Sequence, residues 1–157
     1  MTEQHSLLQG GAFFTAAAMR MEGATRSATV KAARVVRDEA KRVLGTYDYD
    51  WTSLTVATVE RKSTGDSPGL ETGQMRDSIK YSISGTRLDW EAVIGTDMPR
   101  ALFFELGTVH QPPRSFLAGA MIHKEQEVQL ICGHDLVHRV FSHSPDFEDE
   151  WSYDGED

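Results

Sequence analysis

The sequence predicts an α+β fold in which a long N-terminal helix and a C-terminal helix pack on a small antiparallel β-sheet. Apolar residues recur at three- and four-residue steps over residues 12–44 and again over residues 115–141, which is the period of an amphipathic helix. Between these segments, residues 81–94 alternate apolar and polar side chains, which is typical of a hairpin. A hairpin has one apolar face to bury, and the two helices are available to cover it.

The charge pattern predicts a single domain over residues 1–143 and an acidic tail over residues 144–157. The tail holds no Lys or Arg and carries almost all of the net charge of −8. Its acidic residues are Asp146, Glu148, Asp149, Glu150, Asp154, Glu156 and Asp157. Because like charges repel, we expect this tail to stay extended and flexible. Its aromatic residues Phe147, Trp151 and Tyr153 either reflect composition alone or dock on a basic neighbour.

The N-terminal helix is predicted to end at Gly45. Its apolar stripe is narrow and rich in alanine, which allows close approach by a neighbouring helix. The opposite face is net basic. Towards its C-terminal end this face carries Arg34, Arg37, Lys41 and Arg42. It is either a solvated surface or a docking face for an acidic partner, such as the tail of a neighbouring subunit.

The middle of the chain is predicted to hold short elements. Residues 54–59 have the β-branched composition of a strand, and residues 61–69 carry the Gly, Pro, Ser and Asp markers of a loop. Thr72 is placed to cap a short helix over residues 73–79. The hairpin that follows is expected to turn at Gly85-Thr86.

An apolar two-turn helix and a rigid loop join the two halves of the chain. Pro99 can open this helix because its missing N–H would have no intrahelical partner there, and Gly107 can end it. Pro112-Pro113 then forces extended backbone, and Pro113 or Ser115 can start the next helix, which we expect to be interrupted at Gly133. Glu105, the single charge of the apolar helix, either faces water or pairs with Arg114.

We predict that this loop is a subunit or partner contact, because it places a rigid Pro-Pro pair beside an aromatic ring and an arginine. The residues assigned to the contact are Glu105, Gly107, Thr108, Pro112, Pro113, Arg114 and Phe116, together with the four basic residues of the N-terminal helix. Phe116 is expected to be costly to replace if it is a core residue, and Arg114 is expected to act in assembly rather than in folding.

No catalytic constellation is predicted. The segment from His134 through Asp135 to His138 is similar to the zinc-protease helix motif, but the shorter Asp replaces the Glu base, and we expect no functional metal and no cofactor. A single cysteine, Cys132, excludes an internal disulfide. No apolar run is long enough to cross a bilayer, and the acidic charge argues against general nucleic-acid binding.

The order of several short motifs is more specific than any one of them. They are Glu39-Ala40-Lys41-Arg42-Val43-Leu44, Glu71-Thr72-Gly73-Gln74-Met75-Arg76-Asp77-Ser78-Ile79, Val93-Ile94-Gly95, Phe104-Glu105-Leu106-Gly107-Thr108 and Pro113-Arg114-Ser115-Phe116-Leu117. In this order, over about residues 25–130, the chain resembles the minor structural proteins of the tailed-bacteriophage head–tail junction, called neck, head–tail joining or tail-completion proteins. Arg100 and Ser115 stand where that family often has Tyr and Pro.

The resemblance implies a non-enzymatic virion protein, made in the bacterial host cytoplasm, that forms a homo-oligomeric ring between the DNA-filled head and the tail. Its partners would be other copies, in a hexamer or dodecamer, together with connector and tail-tube proteins. DNA would pass nearby without sequence-specific binding, and the acidic tail would either line the lumen or bridge subunits. The alternatives are a tail terminator ring protein, a regulatory binding module that uses the basic helix, and a small metal-dependent hydrolase that uses His134, Asp135 and His138.

Overall fold

The computed structural model describes the backbone of residues 7–141 and the side chains of residues 15–139. Across that range it contains six helices and a two-stranded antiparallel sheet, which confirms the predicted α+β fold. The elements are α1 (Leu7–Val43), α2 (Val56–Arg61), α3 (Gln74–Ser78), β1 (Lys80–Thr86), β2 (Asp89–Gly95), α4 (Pro99–Leu106), α5 (Leu117–His123) and α6 (Glu125–Phe141). The acidic tail lies outside the described residues.

Helix α1 is the central element, against which α3, both strands, α5 and α6 pack. Its buried face is rich in alanine, so neighbouring elements can approach its backbone closely. The buried residues are Ala24, Ala28, Ala33, Val36, Ala40 and Val43. The helix ends before Gly45, which takes a φ of 95° and donates its backbone N–H to Pro68 O at 2.7 Å. A positive φ is accessible to glycine without strain, which explains the stop.

The hairpin turns slightly later than predicted. Thr86 pairs with Asp89, so the turn lies at Arg87-Leu88 rather than at Gly85-Thr86. Gly85 is part of β1, where an added Cβ would lie 2.1 Å from Asp89 O. The glycine is therefore required by the close approach of the two backbones and not by the turn itself.

The predicted strand over residues 54–59 is wrong, because residues 56–61 form helix α2. Thr55 O accepts hydrogen bonds from the backbone N–H groups of Thr58 and Val59, at 2.8 and 3.0 Å. None of the residues of α2 is buried. β-branched residues favour a strand where neighbouring strands provide packing, and the sheet in the described range contains β1 and β2 alone.

The C-terminal helical region is divided at a different place from the one expected. Lys124, with φ −102° and ψ 7°, separates α5 from α6. Helix α6 then continues through Gly133, where an added Cβ would meet nothing within 4 Å. A glycine in a helix is disfavoured by only about 1 kcal/mol relative to alanine, which packing of α6 on α1 can overcome.

The core lies where the C-terminal half of α1 meets α3, α4 and α5. Its members are Val36, Ala40, Val43, Leu44, Met75, Ile79, Ala101, Phe104, Phe116 and Ala120. Phe116 has no exposed surface, and its ring centroid lies 6.0 Å from that of Phe104. Because Phe116 immediately precedes α5, this one side chain ties the start of α5 to the rest of the core.

A buried carboxylate fixes the end of α1 to the following loop. Glu39 accepts hydrogen bonds from Arg42 Nε at 2.9 Å, Arg42 Nη2 at 2.7 Å and the Tyr49 hydroxyl at 2.8 Å. The bonds from Arg42 lower the pKa of Glu39 from 4.5 to about 2, with burial opposing the shift and the Tyr49 bond adding to it. The Tyr49 ring also stacks on His123 at 4.1 Å between centroids, which links this loop to α5.

Glu39→Gln should lower the free energy of unfolding by about 1–2 kcal/mol at pH 7, after allowance for solvent around the half-exposed Arg42. Because the folded-state pKa of Glu39 is depressed, its contribution is present above pH 4.5 and is lost as the pH falls towards about 2. Urea unfolding of both proteins at several pH values checks this. A stability difference that stays constant down to pH 2 would contradict the role of the charge.

Phe116→Ala should lower the free energy of unfolding by roughly 3–5 kcal/mol, because it leaves a cavity in the core. Val109→Ala is the matched control, since Val109 is 98% exposed. That control should change stability by less than about 0.5 kcal/mol. Chemical denaturation followed by circular dichroism measures both, and similar values for the two variants would show that Phe116 is not a core residue.

Candidate functional site

The carboxylate of Glu105 caps the start of α5 from the end of α4. Its Oε2 accepts the backbone N–H groups of Phe116 at 2.7 Å and Leu117 at 3.0 Å. Its Oε1 accepts the N–H of Ala118 at 3.0 Å and the hydroxyl of Ser115 at 2.6 Å. The first N–H groups of a helix have no intrahelical acceptor, and a negative charge there also interacts favourably with the helix dipole. We call this four-donor arrangement the Glu105 clamp.

The clamp corrects the sequence prediction for Glu105. The side chain neither faces water alone nor pairs with Arg114, since its two oxygens are occupied by donors of α5 and of the residue before it. The residue at the N-cap position of α5 is Phe116, whose side chain makes no capping hydrogen bond. The cap is therefore supplied from another helix. The sequence analysis missed this cap; the signal that could have found it is a lone carboxylate on one short helix with an apolar residue at the start of the next.

The loop closed by the clamp reverses tightly. Thr108 and Gln111 exchange two backbone hydrogen bonds, Thr108 N to Gln111 O at 2.8 Å and Gln111 N to Thr108 O at 3.2 Å. Gly107 has a φ of 77°, and an added Cβ would lie 2.7 Å from Pro113 N and 2.8 Å from Gln111 O. Both the backbone angle and the space therefore require glycine, as predicted for the end of α4.

Arg114 and Phe116 do not form an exposed contact as predicted. Phe116 is a core residue, and Arg114 is only 4% exposed. Arg114 donates its Nη2 to Thr52 O at 2.7 Å and its backbone N–H to Phe104 O at 2.8 Å. The expectation that Arg114→Ala leaves folding intact is therefore wrong, because truncation would empty a buried site. Its Nε has no hydrogen-bond partner among the described residues, and no carboxylate in that range forms an ion pair with it.

Helix α4 turns an apolar surface outward. Its buried residues are Ala101 and Phe104, whereas four large apolar residues of α4 and its loop are exposed. We call these the α4 patch: Leu102 (58% exposed), Phe103 (54%), Leu106 (69%) and Val109 (98%). The predicted contact residues Thr108, Pro112 and Pro113 are also exposed, and Gly107 is partly so. The helical spacing of these residues is visible in the sequence, but the spacing alone does not say which face points to the core.

Three of the four basic residues assigned to the face of α1 make contacts within the chain, although Arg34 and Arg42 remain exposed. Arg34 Nε donates to the Tyr81 hydroxyl at 3.2 Å, and the Arg37 guanidinium lies 5.2 Å from the Tyr81 ring centroid. Arg37 also pairs with Asp38 at 2.6 Å. The docking face stays a prediction, and the Tyr81 ring and the nearby carboxylates already engage part of its charge. Arg42 is held by Glu39 and Asp48, and Lys41 is half-buried.

A groove of about 610 Å³ lies between three segments of the chain. These are residues 52–62, which include α2, residues 69–75 at the start of α3, and residues 108–114 of the loop after α4. Its apolar lining comes from Met75, Met98, Phe103 and Phe104. Its charged lining is Arg61, Lys62, Arg100, Arg114 and Glu71. Arg100 and Glu71 are 3.8 Å apart and both exposed, so this pair is weak. The groove is therefore lined by apolar side chains together with a net positive set of charged ones.

The central residue of the predicted zinc-like motif, Asp135, joins α6 to α1 by hydrogen bonds. Asp135 is 5% exposed and accepts Lys31 Nζ at 2.6 Å and the Ser27 hydroxyl at 3.2 Å, both on α1. Burial opposes ionisation of Asp135, but these bonds outweigh it and hold its pKa below the usual value. The rings of His134 and His138 on α6 are nearly parallel, with their centroids 5.6 Å apart. The part of the chain that the structure describes contains no group of three residues suited to a metal.

Within the described residues, no helix combines the length and the apolar character needed to span a bilayer. Comparison of the chain with family models, with curated proteins and with solved structures found no match. The function is therefore argued from the motifs and the geometry of the chain itself.

Glu105→Gln should lower the free energy of unfolding by about 1–3 kcal/mol. The amide keeps the shape of the carboxylate but loses its charge, and its NH2 group would face N–H or O–H donors that the carboxylate now accepts. Glu127→Gln is the matched control: Glu127 forms an exposed pair with Lys124 at 2.7 Å. That change should cost less than about 0.5 kcal/mol. Thermal and urea unfolding measure both variants, and an equal effect of the two substitutions would rule out the clamp as a main stabilising contact.

Proposed function

We propose that this chain is a non-enzymatic structural subunit of the tailed-phage neck, which forms a ring that joins the DNA-filled head to the tail. The observation that carries the proposal is the α4 patch, which the Glu105 clamp presents on a short helix and a tight loop. Leu106 of the patch and Glu105, Ser115, Phe116 and Leu117 of the clamp lie within the motifs of residues 104–108 and 113–117, on which the resemblance to neck proteins depends.

The α4 patch leaves apolar surface exposed to water, which is unfavourable in free energy. Four large apolar side chains lie close together in sequence, between residues 102 and 109, and each is at least half exposed. Contiguous apolar patches on a protein surface typically mark contacts with other proteins. Complete burial of a fully exposed side chain of this kind is worth about 1.5–3 kcal/mol, and the half-exposed members of the patch would gain the share that matches their exposed surface. A ring gives every copy the same contact and leaves no patch open.

Rigidity supports the same conclusion. The loop beside the patch is fixed by the two Thr108–Gln111 hydrogen bonds, by Gly107 and by Pro112-Pro113. A surface that is already ordered loses little conformational entropy on association, so more of the burial energy is retained as affinity.

A tail terminator ring would use the same kind of contact, so the two assignments differ in position and not in chemistry. Loss of a neck protein should leave DNA-filled heads and complete tails unjoined. Loss of a terminator should leave tails of uncontrolled length. Electron microscopy of particles made without this chain therefore separates the two.

Exchange of both Phe103 and Leu106 for Ser should impair assembly without loss of folding. The pair is exposed, so the melting temperature should change little, while complementation of a phage that lacks this gene should fall at least a hundredfold. Leu130→Ser is the matched control, since Leu130 is 65% exposed on α6, away from the patch. It should complement like the native chain. Normal complementation by the double variant would refute the patch as the assembly contact.

A further inference from the structure

We propose that the acidic, aromatic segment 146–157 of one copy binds in the groove between α2, α3 and the α4 loop of a second copy. The inference rests on the proposed function in one respect: it requires that copies of the chain meet. It names the partner of a second surface, distinct from the α4 patch except at Phe103, which belongs to both.

Charge complementarity is the first argument. The groove is lined by Arg61, Lys62, Arg100 and Arg114 against the single carboxylate of Glu71. The buried Arg114 forms no ion pair with a carboxylate in the described range; its guanidinium donates to Thr52 O and lies over the Phe104 ring, and it adds a positive charge to the lining of the groove. Segment 146–157 offers seven carboxylates and no cation. Bringing opposite potentials together both steers the encounter and fixes the register.

Apolar complementarity is the second argument. A segment that is only acidic would leave the apolar lining of the groove uncovered, but this one carries Phe147, Trp151 and Tyr153 among its carboxylates. The apolar lining includes Met75, Met98 and Phe104, together with the half-exposed Phe103. Its volume of about 610 Å³ lies in the range of about 300–1,000 Å³ typical of pockets that hold ligands. Methionine adapts well to aromatic partners.

The length of chain after α6 keeps Phe147 out of the groove of its own copy, although Trp151 and Tyr153 are far enough along the chain to reach it. Helix α6 runs antiparallel to α1, because Asp135 contacts Lys31 and the later Arg139 contacts the earlier Ser27. The groove lies at the other end of α1, where Leu44 approaches Gly69. From Ser27 to Leu44 the helix rise amounts to about 25 Å.

The chain between Phe141 and Phe147 is too short to cross that distance. Fully extended residues span at most about 3.3–3.6 Å each, so Phe147 lies within about 20 Å of the end of α6. Phe147 therefore cannot reach the groove of its own chain, and the three aromatic residues cannot occupy it together. A neighbouring copy in a ring removes this restriction.

A second basic cleft provides the competing site. It lies between α1 and α6 and is lined by Arg20, Lys31, His134, His138 and Arg139 together with Asp135. Gly23 is the other residue that lines it, so this cleft offers no large apolar side chain to an aromatic ring. It matches the charge of the segment but not its aromatic residues, which is why the groove is favoured.

The test uses a fluorescent peptide of residues 144–157 and the full-length chain with Phe147, Trp151 and Tyr153 each changed to Ser, so that its own tail competes weakly. We expect saturable binding by anisotropy, weakened at least tenfold by Arg61→Gln with Arg100→Gln and weakened by salt. Arg20→Gln with His138→Gln, in the other cleft, should leave binding unchanged. A scrambled peptide of the same composition should bind at least fivefold more weakly.

Absence of binding, or equal binding to the Arg61 and Arg100 double variant, would overturn the proposal. Loss of binding in the Arg20 and His138 variant would place the segment in the cleft between α1 and α6 instead. Equal binding of the scrambled peptide, which keeps the same carboxylates and aromatic residues, would also overturn the proposal, because the order of residues in the segment would then not matter. The peptide assay does not require a ring to form. Absence of peptide binding together with normal phage complementation would therefore reject only this inference. Failure of the native chain to complement the phage would reject the proposed function.

Discussion

The carboxylate of Glu105 satisfies three backbone N–H groups at the start of α5 and the hydroxyl of Ser115 before it. Helix α5 begins at a bulky apolar residue, so it has no side-chain cap of its own. One charged group from α4 therefore substitutes for a cap and joins two helices that are separated by a ten-residue connection. Without the carboxylate, the two ends of this connection would not be held together and its conformation could vary.

The clamp explains why the loop and the α4 patch occupy fixed positions. With α4 held against α5, Ala101 and Phe104 are drawn into the core beside Phe116, and the opposite face of the helix has to point outward. Leu102, Phe103 and Leu106 on that opposite face thus form an exposed apolar surface. On a lone chain such a surface carries a solubility cost, which is consistent with the proposed role in assembly.

The sequence was informative where local chemistry decides the outcome. Gly45 and Gly107 end their helices as predicted because both adopt positive φ, and the alternating pattern identified the hairpin. It was misleading where distant partners decide. Residues 54–59 have strand composition but no strand to pair with, and Glu105 bonds to groups ten or more residues later in the chain.

The basic residues of α1 and Arg114 show the same limitation. Their charges predicted exposed contacts, but Tyr81, Asp38 and the carbonyl of Thr52 engage them within one chain. Which charges remain free to attract a partner depends on tertiary contacts that spacing does not contain. The neck assignment itself stays a prediction, carried by the order of the motifs and by the α4 patch.

Amide hydrogen exchange at Phe116, Leu117 and Ala118, followed by NMR in the full-length chain, tests the clamp most directly. These amides have no backbone acceptor at the start of α5, so their protection depends on the Glu105 carboxylate. The account predicts slow exchange in the native chain and at least tenfold faster exchange in Glu105→Ala, relative to amides in the middle of α1. Rapid exchange in the native chain, or unchanged protection in the variant, would contradict it.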